Sequence, residues 1–175
     1  MKTTAIVLAA GSGKRMNSKV HKQYLLLKEK PILYYSLKAF EDSAIDDIIL
    51  VVGAGEIDFC QKDIVEKYGI QKVRAIVEGG KERYHSVYEG LKAAGETDYV
   101  LIHDAARPLL SSEMVSDCFD AIEGHDGVIP VLPMKDTVYF REHGEKIDAL
   151  LNRNKIYAGQ APEAFQLGKY YRATV

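Results

Sequence analysis

A chain of 175 residues, 47% apolar and 27% charged, has the mixture of one folded domain and lies far from disordered or fibrous compositions. A net charge of −2 gives no whole-molecule attraction to nucleic acid, and no apolar run approaches the ~20 residues that span a bilayer. Neither a polynucleotide nor a membrane is therefore expected as a partner, and a cytoplasmic protein is.

The apolar run Ala5 to Ala9 ends at Gly11-Ser12-Gly13, the pattern of a buried strand entering a turn with unusual backbone angles. Pro31 suits the first turn of a helix whose buried face is Ile32, Leu33, Ser36, Leu37 and Phe40. Ile48 to Val52 reads as a second strand, and Ile57, Ile64, Val65 and Tyr68 as the inner side of a second helix. A third strand (Val73 to Val77), a third helix (Val87, Leu91, Ala94) and a fourth strand (Tyr99 to His103) continue the alternation. Met114, Val115, Cys118, Phe119 and Ile122 trace a fourth helix before a fifth strand, Val128 to Leu132. Cys60 and Cys118 fall on the buried stripes of two helices, which reads as core packing and leaves no disulfide or zinc site.

This order predicts an α/β fold: a Rossmann-like, doubly wound, mainly parallel sheet covered on both faces, with its ligand crevice at the strands' carboxyl ends. The segment of about 135–158 breaks the pattern, with Thr137-Val138-Tyr139-Phe140 and Ile147 to Leu151 flanking a polar turn. It reads as a projecting hairpin arm that a partner subunit would cover. Phe165 to Val175 reads as the start of a helix that stops without a cap, so the single domain 1–175 is expected to be truncated at its C-terminus.

Four segments carry chemistry. Between Met1 and Lys28 stand Lys2, Lys14, Arg15, Lys19, Lys22 and Lys28, with no acid before Glu29. Within that stretch, Ala9-Ala10-Gly11-Ser12-Gly13-Lys14-Arg15-Met16 lets backbone N–H groups approach phosphate oxygens, and the cations neutralise their charge. It is not a Walker loop, because Leu8 stands where the first glycine belongs and Arg15 follows Lys14, and Met16 excludes the dinucleotide fingerprint. A solvated loop is the bland alternative.

Glu78-Gly79-Gly80-Lys81-Glu82-Arg83, with Ser86, can hold a base against the backbone or be an ordinary strand-to-helix turn. His103-Asp104-Ala105-Ala106-Arg107-Pro108 can serve a ribose or a phosphate-bound Mg²⁺, or can be a salt-bridged turn; His103 reads as packed rather than catalytic. Thr137 and Arg153 make a phosphate clamp if they converge, and a solvated hairpin if they do not.

Together these segments, with Lys22-Gln23-Tyr24 and Asp136-Thr137, resemble the 2-C-methyl-D-erythritol 4-phosphate cytidylyltransferase family over essentially the whole chain. The resemblance implies a nucleotide-diphospho-sugar transferase type of fold and transfer of CMP from CTP to the polyol phosphate, with release of pyrophosphate, in non-mevalonate isoprenoid synthesis. It implies Arg15 and Lys22 as the catalytic cations at the α-phosphate. Ala9, Ala10, Gly11, Gly13, Gly80 and Ser86 would bind the nucleotide, and Asp104, Ala105, Arg107, Thr137 and Arg153 the acceptor. It also implies Mg²⁺ held mainly by the CTP phosphates, with Asp104 a further candidate ligand, and a homodimer through the hairpin arm.

The chain departs from the family pattern at Ala161-Pro162-Glu163, where Thr-Pro-Gln is usual, at Lys81, where some members carry an acid, and in lacking a lysine-bearing segment after Val175. A ribitol 5-phosphate cytidylyltransferase and a non-catalytic nucleotide-binding module are the readings left open.

Overall fold

Three apolar segments without a polar interruption set the centre of the molecule, and the computed structural model, which describes residues 1–11 and 20–174, places them side by side. Strand β1 (Thr3–Leu8) leads through a short helical turn (Lys22–Tyr24) to a small ribbon, β2 (Leu26–Leu27) and β3 (Lys30–Pro31). Helix α1 (Ile32–Glu41) and strand β4 (Asp47–Val52) follow. Helix α2 (Ile57–Phe59) runs on into a π-helical stretch, Cys60–Glu66, and then come β5 (Val73–Glu78), α3 (Arg83–Ala94), β6 (Tyr99–Asp104), α4 (Ser112–Ile122) and β7 (Gly127–Val128). The remainder is β8 (Val131–Pro133), β9 (Val138–Phe140), β10 (Ala149–Leu151), β11 (Tyr157–Gly159), β12 (Glu163–Gln166) and α5 (Leu167–Thr174).

The main sheet has six strands in the order β5-β4-β1-β6-β12-β7. Strands β5, β4, β1 and β6 are mutually parallel, and β12 runs antiparallel to both its neighbours. In β1 and β4 the alternation of side chains feeds two cores, which is why these strands are apolar throughout. Ala5, Val7, Ile48, Leu50 and Val52 pack with α1, the α2 region and α4, whereas Ile6, Ile49 and Val51 pack with α3 and α5. Cys60 and Cys118 are free, buried thiols. Among the described residues no helix is long and apolar enough to cross a membrane.

The structure corrects the expected elements in two places. The fifth strand is not continuous from Val128 to Leu132. It breaks at Ile129-Pro130, and its second half, β8, pairs with β11 outside the main sheet. Pro130 has no N–H for a ladder, and its carbonyl instead accepts from Gln160 N at 2.8 Å. The second correction is Phe165, which belongs to a strand and not to the start of a helix: β12 inserts between β6 and β7, and α5 begins two residues later at Leu167. A four-residue strand in which Ala164 alone is fully buried shows no readable period.

The hairpin forms as expected, with Leu150 opposite Tyr139 and Leu151 opposite Val138. Its apolar residues Tyr139, Phe140, Ile147 and Leu150 stay exposed.

Helix α3 lies so close to the sheet that a Cβ on Gly90 would sit 2.5 Å from Ile6 Cγ2 and 3.1 Å from Val51 Cγ2. Gly90→Ala should therefore destabilise the fold by ~1–3 kcal/mol despite alanine's better helix propensity, as overpacked cores do. Urea unfolding measures it, and a stabilised variant would contradict this packing.

Candidate active site

After β1 the chain builds outward through β4 and β5, then returns through α3 to place β6 on β1's other side, so the strand order reverses between β1 and β6. Loops that leave the carboxyl ends at such a point diverge and open a crevice. Hydrogen bonds beyond the strands hold them at one level: Ala9 N to Val51 O (2.6 Å), Gly79 N to Val52 O (2.8 Å) and Ala105 N to Leu8 O (3.0 Å).

The first and second segments meet there. A Cβ on Gly79 would lie 2.6 Å from Ala10 Cβ and 2.5 Å from Ser86 Oγ, so only glycine admits this approach. Gly80 N donates to Ser86 Oγ at 3.2 Å, and that hydroxyl donates back to Glu82 O at 3.4 Å. Ser86 lies in the first turn of α3 and is buried, so its packing role is real. Ala9 is buried, while Gly11 and Gly80 are exposed at the mouth.

Lys22 opens the helical turn that follows the loop, and among the described residues no carboxylate pairs with it. Gln23, 2% exposed, donates its amide to Ala9 O at 2.5 Å and Gly11 O at 3.3 Å. Arg15 and Gly13 lie outside the described residues.

Asp104 ends β6 between two guanidiniums. Its Oδ1 accepts from Arg83 Nε and its Oδ2 from Arg107 Nε, both at 3.3 Å. Burial pushes the Asp104 carboxyl up, but Arg83 and Arg107 outweigh that and hold it below the usual carboxylate range. Arg83 also reaches Glu163 at 3.9 Å, and Arg107 reaches Gln160 at 3.5 Å. Buried Ser36 fixes the turn by donating to Ala105 O at 3.1 Å and Arg107 O at 3.3 Å. Beside it, a cavity of ≈ 400 Å³ is lined by residues that include His103, Arg107, Leu110, Pro130, Leu132 and Gln160.

Thr137 and Arg153 are both exposed at the base of the hairpin. Arg153 Nη1 donates to Lys135 O at 2.8 Å, which draws the two limbs together. Among the described residues, no hydrogen bond or ion pair carries either to Lys22 or Asp104 within this chain.

No sequence motif gives Gln23, Glu56 or Glu163 a role. For Gln23 the adjacent lysine was a usable signal, but Glu56 and Glu163 reach the site only through tertiary contacts that no spacing reveals.

The sequence model of 2-C-methyl-D-erythritol 4-phosphate cytidylyltransferase (IspD) matches residues 3–174. The chain belongs to this family. It is 50% identical over 165 residues to the family's protein from Lachnoclostridium phytofermentans, covering 94% of this chain and 71% of that one. The corresponding figure for the Alkaliphilus oremlandii protein is 43% over 167 residues, covering 94% and 71%. Among solved structures, 4-diphosphocytidyl-2C-methyl-D-erythritol synthase from Anaerococcus prevotii superposes with a TM-score of 0.84 at 34% identity, covering 99% of this chain and 73% of that one. The mainly parallel α/β sheet is thus the family's architecture.

His103 has the packed role expected of it. It is 1% exposed, its ring lies edge-on to Phe40, and Nε2 is 3.2 Å from Arg107 O while Nδ1 has no partner among the described residues. Burial pushes its pKa down to about 4, below the ordinary 6.5. Between those values the unfolded chain takes up a proton that the folded one refuses, so stability falls as pH falls through this window and levels off beneath it. His103→Gln should flatten that part of the stability-against-pH curve by up to ~3 kcal/mol. Parallel curves for the two proteins in urea titrations would show that the folded ring takes up its proton as readily as the unfolded one, which contradicts the lowered pKa.

Proposed function

We propose that the crevice at the β1–β6 switch point is where this cytidylyltransferase moves CMP from CTP to 2-C-methyl-D-erythritol 4-phosphate, releasing pyrophosphate for isoprenoid synthesis. The observation that carries the site assignment is the convergence of Ala10, Gly79, Gly80 and Ser86 beside the Lys22 turn. Residues 1–175 act in this reading as one nucleotidyltransferase domain.

A phosphate oxygen of the acceptor attacks the α-phosphorus of CTP in line. The bond to the β-phosphate breaks, and pyrophosphate departs with its electrons. The acceptor phosphate dianion is already nucleophilic, so no side chain has to remove a proton, and the rate comes from positioning and charge stabilisation. Arg15 and Lys22 neutralise the charge that grows on the transferring group. The backbone of Ala9, Ala10, Gly11, Gly13 and Gly80, with Ser86, holds the nucleotide. Asp104, Ala105 and Arg107 border the ribose and the acceptor, with Arg107 held in place by Asp104 and Gln160.

Mg²⁺ belongs to the same proposal. Among the described residues no cluster of three or more His, Cys, Asp or Glu side chains forms a cage, and both oxygens of Asp104 already accept from arginines. That donor set suits an ion held by the triphosphate and water, which is how Mg²⁺ is commonly bound in phosphate sites. Its contribution there would be to neutralise phosphate charge.

The arm completes the reading. Because Thr137 and Arg153 stand on a hairpin with exposed Tyr139, Phe140, Ile147 and Leu150, we assign them to the acceptor phosphate of a second copy, in a homodimer that covers this apolar surface. A cytoplasmic location fits the use of CTP. Leu150→Glu should shift the chain towards monomer in analytical ultracentrifugation and lower turnover with it. A fully active monomer would remove the arm's role.

The decisive assay offers CTP and Mg²⁺ with either methylerythritol phosphate or ribitol 5-phosphate and follows pyrophosphate. Release with the first acceptor alone is expected, and release with the second alone would reassign the substrate. Lys22→Ala or Arg15→Ala should lower turnover by roughly 10²–10³, the range for lost transition-state donors. Near-normal turnover in both would strip them of that role.

A further inference from the structure

Lys22 stands on a helical turn of only three residues, Lys22–Tyr24, with extended backbone at its flanking residues and no side-chain cap. So short a turn has little stiffness of its own. Its neighbours supply it. On one side Gln23, buried, donates its amide to the carbonyls of Ala9 and Gly11, which belong to the loop leaving β1. On the other, the Tyr24 hydroxyl donates to Glu56 Oε2 at 2.7 Å, and His21 Nδ1 lies 2.8 Å from Glu56 Oε1.

Glu56 is itself fixed to the end of β4, because Gly53 N donates to its Oε2 at 3.0 Å. A Cβ on Gly53 would lie 2.8 Å from that oxygen, so the glycine makes room for the carboxylate. The ring of Tyr24 meets Phe59 edge-on at 5.1 Å, and its hydroxyl is 3.2 Å from Cys60 Sγ. Burial, then Cys60 and Glu56, raise the phenol's pKa well above its ordinary value, so it remains a donor.

We infer that Gln23 and Glu56 are positioning residues that clamp the Lys22 turn between the carboxyl ends of β1 and β4. The inference rests on Lys22 acting at the transferring phosphate. A group misplaced by about 1 Å can lose ~10²-fold in rate without any loss of binding contact, so the clamp acts on turnover more than on acceptor affinity.

The test measures pyrophosphate release at saturating CTP and acceptor for Gln23→Met, Glu56→Ala and Glu56→Gln, each alone and combined with Lys22→Ala, alongside melting midpoints. Gln23→Met and Glu56→Ala should each lower kcat by ~10–100-fold, with acceptor KM within about twofold. Glu56→Gln should recover most of the rate, because its amide oxygen still accepts from Gly53 N–H and Tyr24 O–H.

On the Lys22→Ala background neither clamp change should cost more, since residues that act through one group are not additive. Unchanged kcat in folded Gln23→Met and Glu56→Ala, with Lys22→Ala impaired, overturns the clamp while leaving Lys22 its role. An undiminished further loss on the Lys22→Ala background also overturns it. A fully active Lys22→Ala overturns the underlying assignment instead. Should Glu56→Ala fail to fold, Tyr24→Phe removes one hydroxyl and keeps the ring on Phe59; a wild-type kcat there contradicts the clamp, and a several-fold loss supports it.

Discussion

The parallel ladder of β4, β1 and β6 is the constraint on which the site depends. Its register aligns Val7 with Leu50 on one side and with His103 on the other, so the loops after all three strands emerge together. Both faces of β1 and β4 are buried, and a one-residue slip would exchange their contributions to the two cores. Packing therefore fixes the level at which Ala9, Gly53 and Ala105 leave the sheet. The crevice inherits its geometry from apolar side chains buried in the two cores.

Charge is organised on that frame by position and not by total. The whole chain is slightly acidic, yet the opening stretch through Lys28 holds no carboxylate. Two acids at the crevice are paired with arginines: Asp104 with Arg83 and Arg107, and Glu163 with Arg83. Exposed pairs of this kind add little to stability, and their effect here is to orient guanidiniums and lower the negative potential of the crevice. The tie of Glu163 to Arg83 balances its charge locally.

Much of this was legible from pattern alone, and for physical reasons. Strands buried on both faces announce themselves as apolar runs, as β1 and β4 do, and Leu33, Leu37 and Phe40 mark α1 by their spacing. The glycine-rich turns were visible because Gly79 permits a backbone approach no other residue allows. Short elements escaped. Strand β12 offers one buried residue, and the break at Pro130 separates halves that each look strand-like. Long-range polar contacts escape too: Glu56 lies 32 residues from Tyr24, and nothing in its own neighbourhood marks it as a partner of the Lys22–Tyr24 turn.

The division of labour is then a rigid floor, a clamped lysine turn and an exposed arm. They work together as a cytidylyltransferase only if the triphosphate lies at the β1–β6 switch point under Lys22. A crystal structure with CTP and Mg²⁺ tests this directly. The triphosphate should lie between the Ala9-to-Gly11 loop and Gly79-Gly80, with Lys22 Nζ about 3 Å from an α-phosphate oxygen. Nucleotide bound elsewhere on the sheet, or Lys22 directed into bulk water beside a bound triphosphate, would contradict it.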